Sequence, residues 1–277
     1  MYSQTQQNLT LDETAIGMSN RLLPSTFESS AGDYLRCGLK WLDALFVQRL
    51  GLQEVAISAD LAAANGLLRG AQVVLRTRRY RGAGFAPLTL AHIENAQGGL
   101  CSLTVVGLPQ PGSGLPILGM DLIALNGALS LVAVDLAPIR AQTWQTDCAP
   151  LLMSLQQQAA GSLIARKRPE FTVDTFSPLA VIAGARSGAE WNVFCALVEF
   201  LQRASDLWLR RMGQITASDV SLEDRGDTQA EAESVRRWLL AEQTNRKEHS
   251  ALAAIFGPDF AKRYLHEFLF STAAQEA

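Results

Sequence analysis

The chain lacks paired cysteines and clustered histidines. Its four cysteines form no CxxC motif, and they are Cys37, Cys101, Cys148 and Cys195. None of its three histidines lies within a metal-ligand spacing of another, and they are His92, His249 and His266. The sequence therefore predicts no zinc, iron or iron–sulfur site, so electrons for any redox reaction must arrive from outside. We interpret the cysteines as reduced core thiols of a cytoplasmic protein.

Long apolar runs and nucleotide-binding loops are lacking as well. No run of about eighteen uninterrupted apolar residues exists, and the N-terminus shows no basic-then-apolar secretory pattern. No GxGxxG follows a strand pattern, and there is no Walker loop or internal repeat. The formal net charge of -3 gives no field that would attract nucleic acid or an acidic membrane. The sequence therefore predicts neither a membrane nor a nucleic-acid partner.

Apolar residues are plentiful, at 48% of the chain against 18% charged, so one large core can form. Residues 1–30 are rich in Gln, Ser and Thr, and we predict a flexible N-terminal segment there. Residues 31–277 are predicted to form a single domain, beginning with a helix that Asp33 caps. Strand patterns separated by Gly-rich turns then fill residues 72–138, as an antiparallel meander would.

Helical patterns dominate the second half of the chain. Apolar spacing predicts four helices, a single strand and a polar mobile flap there. The helices cover residues 148–167, 188–212, 228–256 and 258–270, the strand covers 179–183, and the flap covers 218–227.

Residues 115–138 predict a β-hairpin that turns at Asn126-Gly127, because both residues tolerate the positive φ of a type I′ turn. Asp121 lies inside the first apolar arm and shares a strand face with Gly119 and Ile123. Burial of a carboxylate on such a face would raise its pKa and suit it to proton donation. The alternative is that this face meets solvent, or that Asp121 caps a neighbouring loop.

Four sequence segments resemble motifs of one known family. Residues 115–123 follow the pattern (L/H)P-(hydrophobic)2-G-x-D-(hydrophobic)2, and residues 133–138 follow (A/V)-x-D-(hydrophobic)-x-P. Residues 256–270 match a C-terminal signature that begins with FG and ends with LF, and residues 176–178 match a shorter FSP element. Along the chain these segments keep the order and approximate spacing of the family, and the chain resembles the ferredoxin-dependent bilin reductases over residues 33–272.

The resemblance implies a three-layer α/β/α sandwich with a central antiparallel sheet. An open-chain tetrapyrrole would bind between the sheet and the C-terminal helices. Such enzymes hold no flavin, nicotinamide or metal. They take single electrons from reduced ferredoxin, while acidic side chains donate protons to the bilin. The resemblance also favours a monomer.

The resemblance further implies a set of site residues. Asp121 aligns with the central proton donor, which agrees with the hairpin argument. Thr104 stands at a position that often holds His or Asn, and threonine cannot act as an acid near neutral pH. A strand position that holds Glu in some members falls at Ala91 or His92, depending on a one-residue gap, so His92 is a second catalytic candidate. The alternative for His92 is a hydrogen-bonded core or surface histidine.

Basic residues supply the remaining predicted substrate contacts. In the segment Asn245-Arg246-Lys247, a cation stands where the family usually has an acid, and Lys247 matches a basic position that meets a propionate in some members. We therefore predict that Thr104 and these three residues bind substrate. Lys167, in a basic run at the end of a predicted helix, is a further substrate-binding candidate.

A second basic cluster comprises Arg76, Arg78, Arg79 and Arg81. Either basic cluster could attract an acidic ferredoxin or the two propionates of a bilin. The alternative for both is a solvated face or a helix terminus favoured by the dipole.

Three functions fit these patterns. The first is ferredoxin-dependent reduction of biliverdin or a related bilin, with Asp121 as proton donor and ferredoxin as electron donor. The second is reduction of a different substrate by a diverged homologue, because Thr104 and Arg246 change the pocket. The third is a non-catalytic tetrapyrrole-binding protein.

Overall fold

A computed structural model describes residues 30–82, 84–216 and 223–271, except for the side chains of residues 214–227. The predicted flexible N-terminal segment lies outside the described residues, apart from Ser30. The predicted flap at residues 218–227 lies half outside them. Its second half is helical, because residues from Glu223 onward belong to a long helix.

Nine strands in the described residues form one sheet, and every strand pair is antiparallel. The strands are β1 Gln53–Val55, β2 Ala63–Leu68, β3 Ala71–Gly82, β4 Phe85–Asn95, β5 Leu100–Pro109, β6 Ile117–Leu125, β7 Ala128–Ala137, β8 Leu163–Ala165 and β9 Val181–Ala185. Their spatial order is β1-β3-β4-β5-β6-β7-β9-β8, and β2 also pairs with β3. The five long strands are consecutive in the chain, which confirms the predicted meander.

The central turn of the meander is the predicted hairpin. Asn126 and Gly127 have φ values of 50° and 85°, the left-handed conformation that a type I′ turn requires at both positions. Strands β6 and β7 pair on either side of it, from Leu125 with Ala128 to Ile117 with Ala137.

Eight α-helices lie in the described residues. They are α1 Ala31–Ala44, α2 Ala59–Ala62, α3 Ala141–Thr143, α4 Ala149–Ala159, α5 Glu190–Thr216, α6 Glu223–Glu242, α7 Arg246–Phe256 and α8 Pro258–Lys262. Wider π-type turns extend α1 to Arg49, connect α3 to α4, and extend α8 to Leu269.

Three helix predictions need correction. Ser30, rather than Asp33, caps α1, and Asp33 completes a capping box from the third helical position. The predicted helix over residues 228–256 is broken, because Asn245 starts a new helix by accepting a hydrogen bond from the Glu248 backbone. The helix predicted to reach Lys167 ends at Ala159.

Lys167 therefore follows a strand and not a helix. Strand β8 is the edge of the sheet, where Leu163–Ala165 pairs with β9. The pairing energy of this short apolar segment is gained only when β9 is in place, so local helical spacing failed to predict it.

Two apolar cores flank the sheet. The back core, against α1, α4 and α5, includes Leu42, Leu103 and Trp208. The front core, against α6, α7 and the α8 extension, includes Ala91, Trp238 and Tyr264. This arrangement of layers is the expected α/β/α sandwich with an antiparallel central sheet.

All four cysteines are free thiols, with Cys101 and Cys148 buried and Cys37 and Cys195 half-buried. Along the described segments, no helix combines the length and apolarity needed to cross a membrane.

Strand β2 and helix α7 approach closely at Gly66. A methyl group there would overlap the backbone carbonyl oxygen of Ile255, near the end of α7. We expect Gly66→Ala to lower the free energy of unfolding by about 1–3 kcal/mol, because a backbone atom cannot rotate away as a side chain can. Urea unfolding measures this change. Gly161→Ala is the matched control, since the added methyl group there meets nothing within 4 Å. Equal stabilities of the two variants would contradict the close approach.

Candidate active site between the sheet and the C-terminal helices

One row of paired residues crosses the front face of the sheet. Strand pairing aligns Thr77, Ala91, Thr104, Asp121 and Ala133, from β3 through to β7. Because side chains alternate along a strand, all five side chains point to the same face. Ala91 belongs to the front core, so this face is the one that α6, α7 and the α8 extension cover.

Asp121 is the ionisable residue of this row. Its carboxylate is half-buried and accepts a hydrogen bond from Thr104 Oγ1 at 2.9 Å. Burial raises the pKa of the Asp121 carboxyl to about 6, and the hydrogen bond from Thr104 opposes that rise. A carboxyl with this pKa can hold and release a proton near neutral pH, which is the property that the hairpin argument predicted.

His92 lies on the opposite face of the sheet from Asp121. It pairs with Leu103, a back-core residue, and its side chain is 2% exposed. Its Nε2 lies 3.3 Å from the sulfur of Cys101, and burial lowers the pKa of the imidazole. His92 therefore does not share the face of Asp121, because a shift of one position along a strand reverses the face. Ala91 occupies the front-face position instead, and it carries no ionisable group.

Helix α6 contributes a buried carboxyl to the front face. Glu242 is 7% exposed and lies one helical turn beyond the buried Trp238, so both side chains point inward. The six-membered ring of Trp238 lies over Gly119, whose added Cβ would be 3.7 Å from Trp238 Cζ2. Gly119 is two residues before Asp121 on β6, so α6 packs directly beside the Asp121 row.

Helix α7 contributes a second carboxyl. Glu248 lies one turn before the buried Leu252, on the inward side of α7. The amide Nδ2 of Asn245 donates a hydrogen bond to Glu248 Oε2 at 3.2 Å, and the Glu248 backbone N–H donates to Asn245 Oδ1 at 3.4 Å. The cap that starts the helix therefore also holds the Glu248 carboxyl in place.

Asp121, Glu242 and Glu248 influence one another electrostatically, and we call them the acid cluster. Burial is the main cause that raises the pKa of Glu248 to about 8; the negative charge of Asp121 adds to this rise, and the hydrogen bond from Asn245 opposes it. Burial also raises the pKa of Glu242 well above its usual value, with added repulsion from Glu248 and Asp121. Carboxyls that repel one another in a buried space retain protons near neutral pH. The cluster can therefore serve as a store of transferable protons.

The structure places the other predicted site residues in two groups. Thr104 and Asn245 contact the acid cluster directly, through Asp121 and Glu248 respectively. Arg246 and Lys247 are exposed on the first turn of α7, and Lys167 is exposed in the loop after β8. Among the described residues, none of these three cations makes a hydrogen bond or ion pair with the cluster.

Sequence reasoning missed Glu242 and Glu248. It placed a cation, Arg246, where the family usually has an acid, but the acid facing Asp121 is two positions further on. A local signal was available, because Asn followed three residues later by Glu is the spacing of a helix N-terminus with its capping partner. Glu242 ends an otherwise apolar run, Trp238-Leu239-Leu240-Ala241, which marks it as inward-facing only once the helix position is known.

Two of the family motifs meet at the edge of this site. Asp135, from the motif at the end of β7, accepts hydrogen bonds from the Ser177 backbone N–H at 2.7 Å and from its hydroxyl at 2.5 Å. Burial raises the pKa of Asp135 to about 6, and the bonds from Ser177 oppose the rise. Phe176, beside Ser177, stacks with Trp238 at 6.3 Å between ring centroids.

The apolar lining of the front face includes an unused hydrogen-bond donor among the described residues. Trp238 is 4% exposed, and its indole N–H finds no hydrogen-bond partner among the residues that the structure describes. On β3, Thr77 shares a hydrogen bond of 2.9 Å with Tyr264, which stacks on Phe260. A flat conjugated ligand would meet aromatic rings here, and the Trp238 N–H could donate to a carbonyl group.

Tertiary structure brings together two histidines that the sequence separates. His249 of α7 and His266 of the α8 extension have ring centroids 5.9 Å apart. Among the described residues, no group of three or more His, Cys, Asp or Glu side chains could hold a metal ion.

Comparisons with known proteins agree with this architecture. A family model described as ferredoxin-dependent bilin reductase matches residues 41–271. A phycocyanobilin:ferredoxin oxidoreductase from Prochlorococcus marinus is 28% identical over 251 residues, covering 88% of this chain and 92% of that protein. Another from Synechococcus sp. is 28% identical over 261 residues, covering 93% and 96%. The crystal structure of phytochromobilin synthase from tomato in complex with biliverdin has a TM-score of 0.63 at 16% identity, covering 86% and 84%.

The sandwich is thus the fold of a known class of oxidoreductases. The chain belongs to the ferredoxin-dependent bilin reductases. Because its identity to this chain is low, the tomato structure supports the fold alone.

The raised pKa values predict how stability depends on pH. A carboxyl whose pKa is raised by folding adds stability below its unfolded pKa and loses that contribution as pH rises through the folded pKa. For Glu248 the loss extends from its usual 4.5 to about 8. The free energy of unfolding of the wild type should therefore fall between about pH 5 and pH 8. In Glu248→Gln we expect this fall to be smaller by roughly 1–3 kcal/mol.

Urea unfolding at a series of pH values measures this difference. The exposed Glu267 provides the matched control, and Glu267→Gln should follow the wild-type curve. If the curves of Glu248→Gln and wild type ran parallel, the Glu248 carboxyl would not be buried in the folded protein.

Proposed function

We propose that this protein reduces an open-chain tetrapyrrole, biliverdin or a related bilin, with reduced ferredoxin as electron donor. Each reduction of one double bond consumes two electrons, delivered singly by two reduced ferredoxins, and two protons. The observation that carries the proposal is the half-buried carboxyl of Asp121, with a pKa of about 6, on a sheet face that aromatic side chains cover. Family membership supports the electron donor and the substrate class.

Asp121 acts as the central proton donor in this proposal. The bilin takes the space between the front face and helices α6 and α7, so its conjugated system lies against Asp121 and Thr104. Electron transfer places negative charge on the bilin, and a nearby carboxylic acid neutralises that charge by giving up its proton. Thr104 has no acidic proton near neutral pH, and it orients the Asp121 carboxylate through its hydrogen bond.

Glu248 acts as the second proton donor. With a pKa of about 8, it is mostly protonated at neutral pH, whereas Asp121 is mostly ionised. Proton loss from one member of the acid cluster lowers the electrostatic cost of protonating the other. Glu248 gives up the proton that it already holds, and Asp121 takes up a proton from solvent before it donates, so the two carboxyls can deliver two protons in sequence. This pair compensates for Ala91 and Thr104, which stand at positions where some members of the family carry a titratable side chain.

The first test mixes the protein with biliverdin and a ferredoxin reducing system without oxygen and follows the visible absorption spectrum. We expect a spectral shift on binding and then loss of the biliverdin band. Asp121→Asn should keep the binding shift and slow the loss by about 100-fold or more, since general acid catalysis typically contributes at least that factor.

Asp174→Asn makes the same chemical change at an exposed carboxyl and should reduce biliverdin at the wild-type rate. An Asp121→Asn variant with wild-type turnover would remove Asp121 from the mechanism. Binding without reduction by the wild type would favour a tetrapyrrole-binding protein, and failure to bind biliverdin would favour a different substrate.

Glu248→Gln should also bind biliverdin and reduce it slowly at pH 7. We expect a loss of about 10-fold or more, smaller than that of Asp121→Asn, because solvent can replace a second donor more easily than the central one. Single-turnover spectra should show a partly reduced species that persists longer than in the wild type. Glu267→Gln serves as the control here too, and wild-type kinetics in Glu248→Gln would show that another group supplies the second proton.

A further inference from the structure

The four arginines of β3 differ in their partners. Arg76 forms an ion pair with Glu94 at 2.9 Å, and Arg78 forms one with Asp43 at 2.6 Å. Both lie at positions that alternate with Thr77, so they point away from the front face. Their charges are neutralised locally, and this agrees with the alternative interpretation of the basic cluster as a solvated face.

Arg79 points to the front face, two residues from Thr77 on the same side of β3. Among the described residues, no carboxylate lies within ion-pair distance of it. Its guanidinium carbon lies 3.8 Å from the centre of the Phe268 ring. The nitrogen Nη2 donates to the Phe268 carbonyl at 2.8 Å, and Nε donates to Thr89 Oγ1 at 3.4 Å. These bonds use two of the five N–H donors of a guanidinium.

A half-buried cation without a counter-charge is an unusual arrangement. Burial is the main cause that lowers the pKa of Arg79 to about 10; Tyr264 opposes this decrease, and the like charge of Arg81 adds to it. The stacked Phe268 ring and the carbonyl recover part of the lost hydration, but a carboxylate would recover more. The planar guanidinium is also fixed in orientation by its existing bonds, so little further ordering is needed when an anion binds.

We propose that Arg79 is an anion subsite that binds a carboxylate of the substrate, held on the front face beside Phe268. This subsite rests on the proposed function, because an open-chain tetrapyrrole supplies the carboxylates as its propionate groups. The bond is charge-assisted and lies in a partly dehydrated site, where such bonds are stronger than at an exposed surface. Arg81, exposed two residues along the strand, adds positive potential at the same end of the site.

The competing explanation is purely structural. A guanidinium that donates to a carbonyl near the end of the α8 extension could serve only to hold that segment against the sheet. Both explanations predict that loss of Arg79 weakens ligand binding. They differ in whether the weakening depends on the negative charge of the ligand.

The experiment compares biliverdin with its dimethyl ester, in which both carboxylates are neutral. Each ligand is titrated into wild type, Arg79→Gln, Arg79→Lys and Arg76→Gln, and binding is read from the visible absorption shift. We expect the wild type to prefer the free acid, and Arg79→Gln to lower that preference about tenfold by weakening the free acid alone. Arg79→Lys should restore part of the preference, and Arg76→Gln should retain all of it.

Equal weakening of acid and ester by Arg79→Gln would overturn the subsite and support the structural role. An unchanged preference in Arg79→Gln would overturn it as well. These results would leave the proposed function intact, because the wild type would still bind and reduce biliverdin. Failure of the wild type to bind either ligand would overturn both proposals together, and that outcome is visible before any variant is compared.

Discussion

Antiparallel pairing in a single sheet assigns every side chain of the long strands to one of two faces, and the rest of the structure depends on that assignment. A difference of one residue separates the front-face Ala91 from the back-core His92, and the front-face Arg79 from the solvated Arg78. The type I′ turn at Asn126-Gly127 and a register shift between Ile123 and Ala124 together set the pairing of β6 and β7, which places Asp121 opposite Ala133 on the front face. A slip by one residue would move this acid into the back core.

The front face combines apolar packing with groups whose burial is costly. Helices α6 and α7 bring Glu242 and Glu248 against the Asp121 row, and burial keeps these carboxyls partly protonated. Within the described part of the chain, Trp238 adds an indole N–H without a hydrogen-bond partner, and Arg79 adds a cation without a carboxylate beside it. Each of these features lowers the stability of the protein, and each can interact with a ligand that accepts a proton or a hydrogen bond or that carries a negative charge. The back core shows a different pattern: it holds the larger share of the buried apolar side chains.

Much of the fold could be predicted from the sequence, and the site only in part. Apolar alternation, the Asn-Gly turn and the motif resemblance together indicated the meander, the sandwich and Asp121. The break at Asn245 was missed, since the helical pattern on both sides is continuous and the capping bond spans only three residues. Strand β8 was missed because its segment is short and pairs only with β9. The choice between Ala91 and His92 for the front face stayed open, because a gap of one residue could not be placed without the register.

The sequence by itself determined the hairpin, the carboxylate within it, the free cysteines and the class of protein, because these depend on local conformational preferences and on residue order. Only the tertiary structure decided which ionisable groups meet. Asp121 and Glu248 are 127 positions apart in the chain, and Arg79 meets the Phe268 ring from a distant strand. Their raised or lowered pKa values come from burial and from one another's charges, and those depend on how the helices cover the sheet. Local sequence patterns do not show how the helices cover the sheet.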